Sequence, residues 1–188
     1  MAIGGDGTIY AGSRPGSSNG KVYALNSNGS KKWETVTGPY NWSPAIGANS
    51  IIYVCSNQTQ YLWALDEATG EKKWEFRASN TPCSSPTIGN EGIVYFSALS
   101  KVYALDGKTG SKIWEFSGSG QGFETPSSIG PDGTVYVGAM GGLYALNGKT
   151  GAKKWKFETI ADNTVPAIGN DGIIYLGCGD GKVYALDE

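Results

Sequence analysis

The sequence contains no histidine. That removes the commonest general base, the usual hydrolase triad and most zinc sites. Only three cysteines occur, Cys55, Cys83 and Cys178, with no Cys-x-x-Cys pair among them. They make no disulfide framework, and each reads as a small buried hydrophobe. No apolar run approaches the roughly 20 residues that a membrane-spanning helix needs. No Lys/Arg block exists: the lysine pairs Lys31-Lys32, Lys72-Lys73 and Lys153-Lys154 fall in equivalent places, and the net charge is −2. This is not the electrostatic footprint of a nucleic-acid binder. No segment keeps a 3.6-residue apolar period long enough for a helix, so almost none is expected. The N-terminal MAIGGDGTIYAG lacks a basic stretch followed by an apolar one, so no signal peptide is read in this chain.

What is abundant is glycine, 29 of 188 residues, together with 39% hydrophobic and 12% aromatic residues. That composition suits a packed core of short strands joined by tight turns. The decisive feature is repetition. The stretch ALDEATGEKKWEF (64–76) returns as ALDGKTGSKIWEF (104–116) and ALNGKTGAKKWKF (145–157). Three independent anchors share a period near forty. They are Tyr23, Trp63, Tyr103, Tyr144 and Tyr184 before Ala-Leu; Trp33, Trp74, Trp114 and Trp155; and Ile3, Ile46, Ile88, Ile129 and Ile168 before glycine.

Each period contains four strand-like runs, A to D. PAIG is a short apolar run. DGTIYAG and its equivalents put a turn dipeptide before β-branched and aromatic residues. KVYALD alternates, and TGxxxWxF follows a glycine turn. Four strands per forty residues predict a single all-β domain, a β-propeller of four-stranded antiparallel blades. The units fall at about residues 2–43, 44–85, 86–126, 127–165 and 166–188. The first four are complete and the fifth, ending after KVYALD, has three strands. Stacked blades bury each other, so Trp33, Trp74, Trp114 and Trp155 read as structural residues between blades. A five-unit ring closed on itself is expected. The rival is an open arc that pairs as a homodimer or belongs to a longer propeller.

The block Ala-Leu-Asp-x-x-Thr-Gly-x-x-x-Trp, with the preceding Pro-x-Ile-Gly and Asp-Gly-x-Val-Tyr patterns, resembles the tryptophan-docking motif of the pyrroloquinoline-quinone-like (PQQ-like) repeat family. Asn147 replaces the Asp in the third copy, and the first copy, ALNSNGSKKW, is one residue shorter. The resemblance spans essentially the whole chain. It implies a propeller, an extracytoplasmic location, and one of two kinds of function. Some members are quinone-dependent dehydrogenases that hold PQQ and calcium near the axis; others are non-catalytic scaffolds. The enzymes typically carry adjacent cysteines and seven or eight blades, and this chain has neither. The reading is therefore a non-enzymatic binding or scaffold module, with no cofactor or metal expected and a protein or small-ligand partner. A partial quinone-dependent dehydrogenase and a structural fragment of a larger propeller are the alternatives.

Strand order also says where a ligand would sit. The A-to-B and C-to-D turns are near-identical from unit to unit. The D-to-A loops (TGPYNWS, SNTPCSS, GQGFETPS, ADNTV) and the B-to-C loops differ, and they share the other face. Variation on one face of a repeat scaffold is how a binding surface is grafted. Counting back five from each anchor isoleucine gives Asn41, Cys83, Glu124 and Asn163, with Tyr40, Trp42, Phe123 and Asp162 beside them. Of these, Tyr40, Asn41, Trp42, Phe123, Glu124, Asp162 and Asn163 are the candidate ligand or partner residues. No catalytic residue is assigned, since Asp66, Asp106 and Asp187 sit in the repeat and read as turn caps.

Overall fold

The computed structural model describes residues 1–13, 19–78, 83–118, 122–123, 125–159 and 165–187. The first sheet is β1 (Ala2–Ile3), β2 (Ile9–Gly12), β3 (Lys21–Leu25) and β4 (Lys31–Val36). The second is β5 (Ala45–Gly47), β6 (Ile51–Ser56), β7 (Tyr61–Asp66) and β8 (Lys72–Arg77). The third is β9 (Thr87–Ile88), β10 (Ile93–Ala98), β11 (Lys101–Asp106) and β12 (Lys112–Ser117). The fourth is β13 (Ser128–Ile129), β14 (Thr134–Ala139), β15 (Gly142–Asn147) and β16 (Lys153–Phe157). The fifth has three strands, β17 (Ala167–Ile168), β18 (Ile174–Gly177) and β19 (Val183–Leu186). Every pairing is antiparallel between chain neighbours. Among the described residues the helical content is one 3-10 turn, Asn90–Gly92.

The architecture is the propeller that the repeat predicts, and its core lies between sheets. In the inner units both faces of a strand are covered: β6 and β14 are buried at every position. Two side chains of one unit hook into the next. Trp33, Trp74 and Trp114 donate their indole N–H to the carbonyls of Glu67, Gly107 and Gly148, at 3.0, 2.9 and 2.8 Å. The phenols of Tyr53 and Tyr95 reach the carbonyls of Gly107 and Gly148, at 2.9 and 3.0 Å. Each of these Trp rings lies beside the Tyr of its own unit. Tyr10–Trp33, Tyr53–Trp74, Tyr95–Trp114 and Tyr136–Trp155 have centroids 5.9, 5.7, 5.8 and 5.8 Å apart. That spacing is favourable for tilted aromatic pairs.

The Thr-Gly of the motif is the floor of this socket. A Cβ on Gly70 would lie 2.5 Å from Trp33, one on Gly110 2.7 Å from Trp74, and one on Gly151 2.7 Å from Trp114. All three glycines have φ between 72° and 74°, in the left-handed region. Glycine is thus required twice over, by backbone conformation and by contact. The preceding Asp acts as a turn cap: Asp66 accepts from the backbone N–H groups of Ala68 and Thr69, at 2.9 and 3.0 Å. Lys73 and these donors pull its carboxyl down to about 2.

The ends correct the expectation of a closed ring. Tyr10, Tyr53, Tyr95 and Tyr136 are 1–3% exposed, but their fifth-unit counterpart Tyr175 is 42% exposed. Val22, Leu62, Val102 and Leu143 are fully buried, while Val183 is 75% exposed. Ile3, on the opposite end face, is 70% exposed. The described residues form an open arc in which the forward face of unit five and the backward face of unit one do not cover each other.

The cysteines also depart from expectation. Cys55 and Cys83 form a disulfide, with Cα atoms 6.3 Å apart, and Cys178 is free. The physical reason lies in the repeat. The end of strand B in one unit abuts the loop that enters strand A of the next. The first unit shows the same contact, where a Cβ on Gly12 would lie 2.7 Å from Asn41 Cβ. Cys55 occupies the Gly12 position and Cys83 the Asn41 position, so the two sulfurs meet.

Candidate functional site

The variable-loop face is best defined at the junction of units one and two. Asn41 is 2% exposed and held on three sides. Its amide oxygen accepts from Thr37 Oγ1 at 2.8 Å, its amide nitrogen donates to the Gly38 carbonyl at 2.9 Å, and its backbone N–H donates to Ser13 at 3.2 Å. The hydrogen-bonding capacity of this side chain is spent inside the fold, so Asn41 positions the loop rather than offering itself to a ligand. Tyr40 precedes it at φ 57°, a left-handed conformation uncommon for an aromatic residue. Its carbonyl accepts from the Asn57 N–H at 3.1 Å. Such strain persists only where the surroundings over-determine it.

Trp42 follows. Its backbone N–H donates to the Cys55 carbonyl at 2.9 Å. Its half-buried ring packs against the core cluster that contains Cys55, Cys83, Phe96 and Tyr103. The same residue lines an open concavity of about 450 Å³ with Met1, Ala11, Gly12, Asn41 and Ser43. Trp42 therefore has one side on the disulfide-containing core and the other on an open, mixed polar and apolar hollow.

Phe123 is fully buried. It stacks edge-on against Tyr144 at 5.3 Å and packs on Phe116 at 6.2 Å. Its position is a core position at the junction of units three and four, out of reach of a surface ligand. Glu124, Asp162 and Asn163 lie outside the described residues. Of the seven candidates, the structure thus brings Tyr40, Asn41 and Trp42 together at one junction and sets Phe123 apart. The disulfide beside Trp42 was missed by sequence reasoning. The two cysteines occupy the repeat positions of Gly12 and Asn41, whose contact only the structure reveals.

The opposite face holds a second hollow of about 440 Å³, between units three and four, lined in part by Glu91, Asp132, Asn147, Lys149 and Lys154. Its charges are mutually engaged. Asp132 accepts from Thr134 and Lys154 and is drawn down to about 2 by them, and Glu91 pairs with Lys149 at 2.9 Å. The first unit repeats the arrangement with Asp6, Thr8 and Lys32. A carboxylate locked to its own lysine and hydroxyl is a poor acid or base at neutral pH. This hollow belongs to the repeat.

Among the described residues no three Asp, Glu or Cys side chains converge as a metal site. The Cys55–Cys83 bridge joins residues 28 apart and is not a vicinal disulfide. Nor is any helix among the described residues long and apolar enough to cross a membrane.

Comparison with known proteins gives the lineage. The family described as outer membrane protein assembly factor BamB matches residues 18–165 and 97–188. No curated protein matches the sequence. Among solved structures, BamB from Moraxella catarrhalis is 18% identical, with a TM-score of 0.74 over 98% of this chain and 56% of that one. Quinohemoprotein alcohol dehydrogenase from Comamonas testosteroni is 19% identical, with a TM-score of 0.77 over 97% of this chain and 40% of that one. The WD40 β-propeller domain of Doa1 is 14% identical, with a TM-score of 0.76 over 97% of this chain and 61% of that one. The chain thus spans about half the length of these structures, and at such identities they speak for the fold alone. On the matched repeats and this fold, the chain belongs to the PQQ-like repeat β-propeller family whose profile carries the BamB description.

Proposed function

We propose that this chain is a non-enzymatic scaffold segment that binds a protein partner through its variable-loop face, in an extracytoplasmic compartment. The observation that carries the reading is Trp42. It is a half-buried aromatic beside an open hollow, on a loop pinned by Asn41 and by the backbone contact to Cys55. Rigid aromatic residues at the edge of a concavity are the usual anchors of protein interfaces. Tyr40 is the second anchor, and Glu124, Asp162 and Asn163 would extend the same face. Family membership supports protein partners, since the matching family is named for an assembly factor. The buried Cys55–Cys83 bridge supports an oxidising compartment, because such bonds persist outside the reducing cytosol.

Site-specific photo-crosslinking in the native host tests the reading. A photoreactive residue at Trp42 should give a discrete protein adduct. The same residue at Lys108, on the repeat-turn face, should give none. Equal adducts from both faces would overturn the one-face reading. Addition of PQQ with calcium tests the dehydrogenase alternative. A shifted visible band with alcohol-dependent dye reduction would replace the scaffold reading.

A further inference from the structure

The two cysteines of the bridge hold the Tyr40–Trp42 loop from two sides. The Cys55 carbonyl accepts from the Trp42 N–H at 2.9 Å. The Cys83 N–H donates to Asn57 Oδ1 at 3.0 Å, and the Asn57 N–H donates to the Tyr40 carbonyl at 3.1 Å. Asn57 therefore couples Cys83 to Tyr40. The repeat also shows where the Trp42 side chain stands. Its counterparts are Ser84 and Thr125. Ser84 Oγ accepts from the Ser97 N–H at 2.9 Å, and Thr125 Oγ1 donates to the Gly138 carbonyl at 3.3 Å. Ser97 and Gly138 are the Cys55 positions of their units. A side chain at position 42 thus stands against Cys55, in keeping with the packing of the Trp42 ring on the cluster that holds both cysteines.

The first junction makes the equivalent contact without a covalent bond. There Asn41 meets Gly12 and is held by hydrogen bonds to Thr37, Gly38 and Ser13. At the second junction one bond that two electrons can break takes this place. The loop it serves is strained: Tyr40 sits at φ 57°. A bulky residue keeps that conformation only while its surroundings over-determine it. Freeing Cys83 slackens Asn57, removes one of the restraints on Tyr40, and lets its backbone relax to negative φ. The turn that carries Trp42 moves with it.

We propose that the Cys55–Cys83 bridge is a redox latch on the Tyr40–Trp42 loop, closed when oxidised and opened by a dithiol reductant. One thiolate of the reductant attacks a bridge sulfur and expels the other cysteine, which takes up a proton. The second reductant thiolate then attacks the mixed disulfide, leaving as a cyclic disulfide and releasing the remaining cysteine as a thiol. Two electrons and two protons pass from the reductant to the protein. Both cysteines are fully buried, so the reductant reaches them when Trp42 moves aside. The coupling is reciprocal: opening the bridge frees the loop, and freeing the loop exposes the bridge. Control of partner docking by this latch rests on the function proposed above, whereas the latch itself is tested without a partner.

Limited chymotrypsin digestion of the whole chain reads the loop, since the enzyme cuts after Tyr and Trp where the backbone opens. One sample is reduced with dithiothreitol, and both samples are then alkylated with iodoacetamide. Reduction should speed cleavage after Tyr40 or Trp42 at least about tenfold, because such cleavage follows the population of the open form. The bonds after Trp74 and Trp114 should survive the same interval. This measurement uses the unchanged sequence and needs no variant to fold. In the reverse direction, Trp42→Ala should speed opening of the bridge by dithiothreitol at least about tenfold, counted as thiols per folded chain against time. Trp114→Ala, at another junction, should speed it less, and circular dichroism checks that both variants fold. A bridge that resists dithiothreitol in the folded chain, equal cleavage of the two samples, reduction that first opens bonds elsewhere in the chain, or a Trp42→Ala rate no higher than that of Trp114→Ala would each overturn the proposal.

Discussion

Trp114 donates its indole N–H to the carbonyl of Gly148 at 2.8 Å, across 34 residues of sequence and one junction between sheets. The same ring rests on Gly151 and lies 5.8 Å from Tyr95. One side chain thus ties its own sheet to the next through a hydrogen bond, a close backbone contact and an aromatic pair. Trp114→Ala removes all three and leaves a cavity. The expected cost is about 3–5 kcal/mol. In a chain of this size each kcal/mol shifts the melting temperature by about 2–4 °C. Thermal unfolding should therefore fall by on the order of 10 °C, and a shift under a couple of degrees would contradict the packing described.

The glycine beneath the ring gives a second test with an internal control. Gly110 and Gly29 both have positive φ, 74° and 83°. A Cβ on Gly110 strikes Trp74 at 2.7 Å, whereas one on Gly29 meets nothing within 4 Å. Gly29→Ala should cost only the left-handed backbone term, about 1–2 kcal/mol. Gly110→Ala must also displace Trp74 and should cost clearly more. Urea unfolding of the two variants measures the difference. Equal losses would show that the Trp74 socket contributes nothing.

The Cys55–Cys83 bridge closes a loop of 28 residues. Chain entropy puts its contribution at about 3.5 kcal/mol. Thiol titration of the denatured, unreduced protein should find one free sulfhydryl, that of Cys178, and three after reduction. Reduction or Cys83→Ser should lower the urea midpoint. Three free thiols before reduction would mean that the bond does not form in the protein as produced.

This bond marks the boundary of what the sequence revealed. Strand order, the three-stranded last unit and the tryptophan period were legible because each junction repeats the same contacts, so Trp33, Trp74 and Trp114 could be found by counting. Cys55 and Cys83 were not paired, because neither resembles its counterparts in other units and their contact is visible only once strand B of one unit is set against the loop of the next. Phe123 failed as a loop-tip candidate for a similar reason: a residue counted onto a loop can still point inward, here onto Tyr144. Ring closure was misjudged because repeat number does not fix the angle between sheets.

The junction tyrosines make stability at high pH a further test. Burial pushes the phenols of Tyr53 and Tyr95 up to about 12, and burial together with Glu67 does the same for Tyr10. Their ordinary value is 10.0. In the unfolded chain these groups lose their protons first, so between pH 10 and 12 the unfolded state binds fewer protons than the folded one. Stability must then fall as pH rises through this window, and the contribution is fully present below pH 10. Urea midpoints measured at pH 8, 9 and 11.5 should be level over the first step and drop over the second. Absorbance at 295 nm should show these three phenols ionising only as the sheets separate. Tyr53→Phe removes one such group along with its bond to Gly107. It should lower stability at pH 8 by about 1 kcal/mol and flatten the alkaline decline. An alkaline decline left unchanged by Tyr53→Phe would place that phenol in solvent rather than between the sheets.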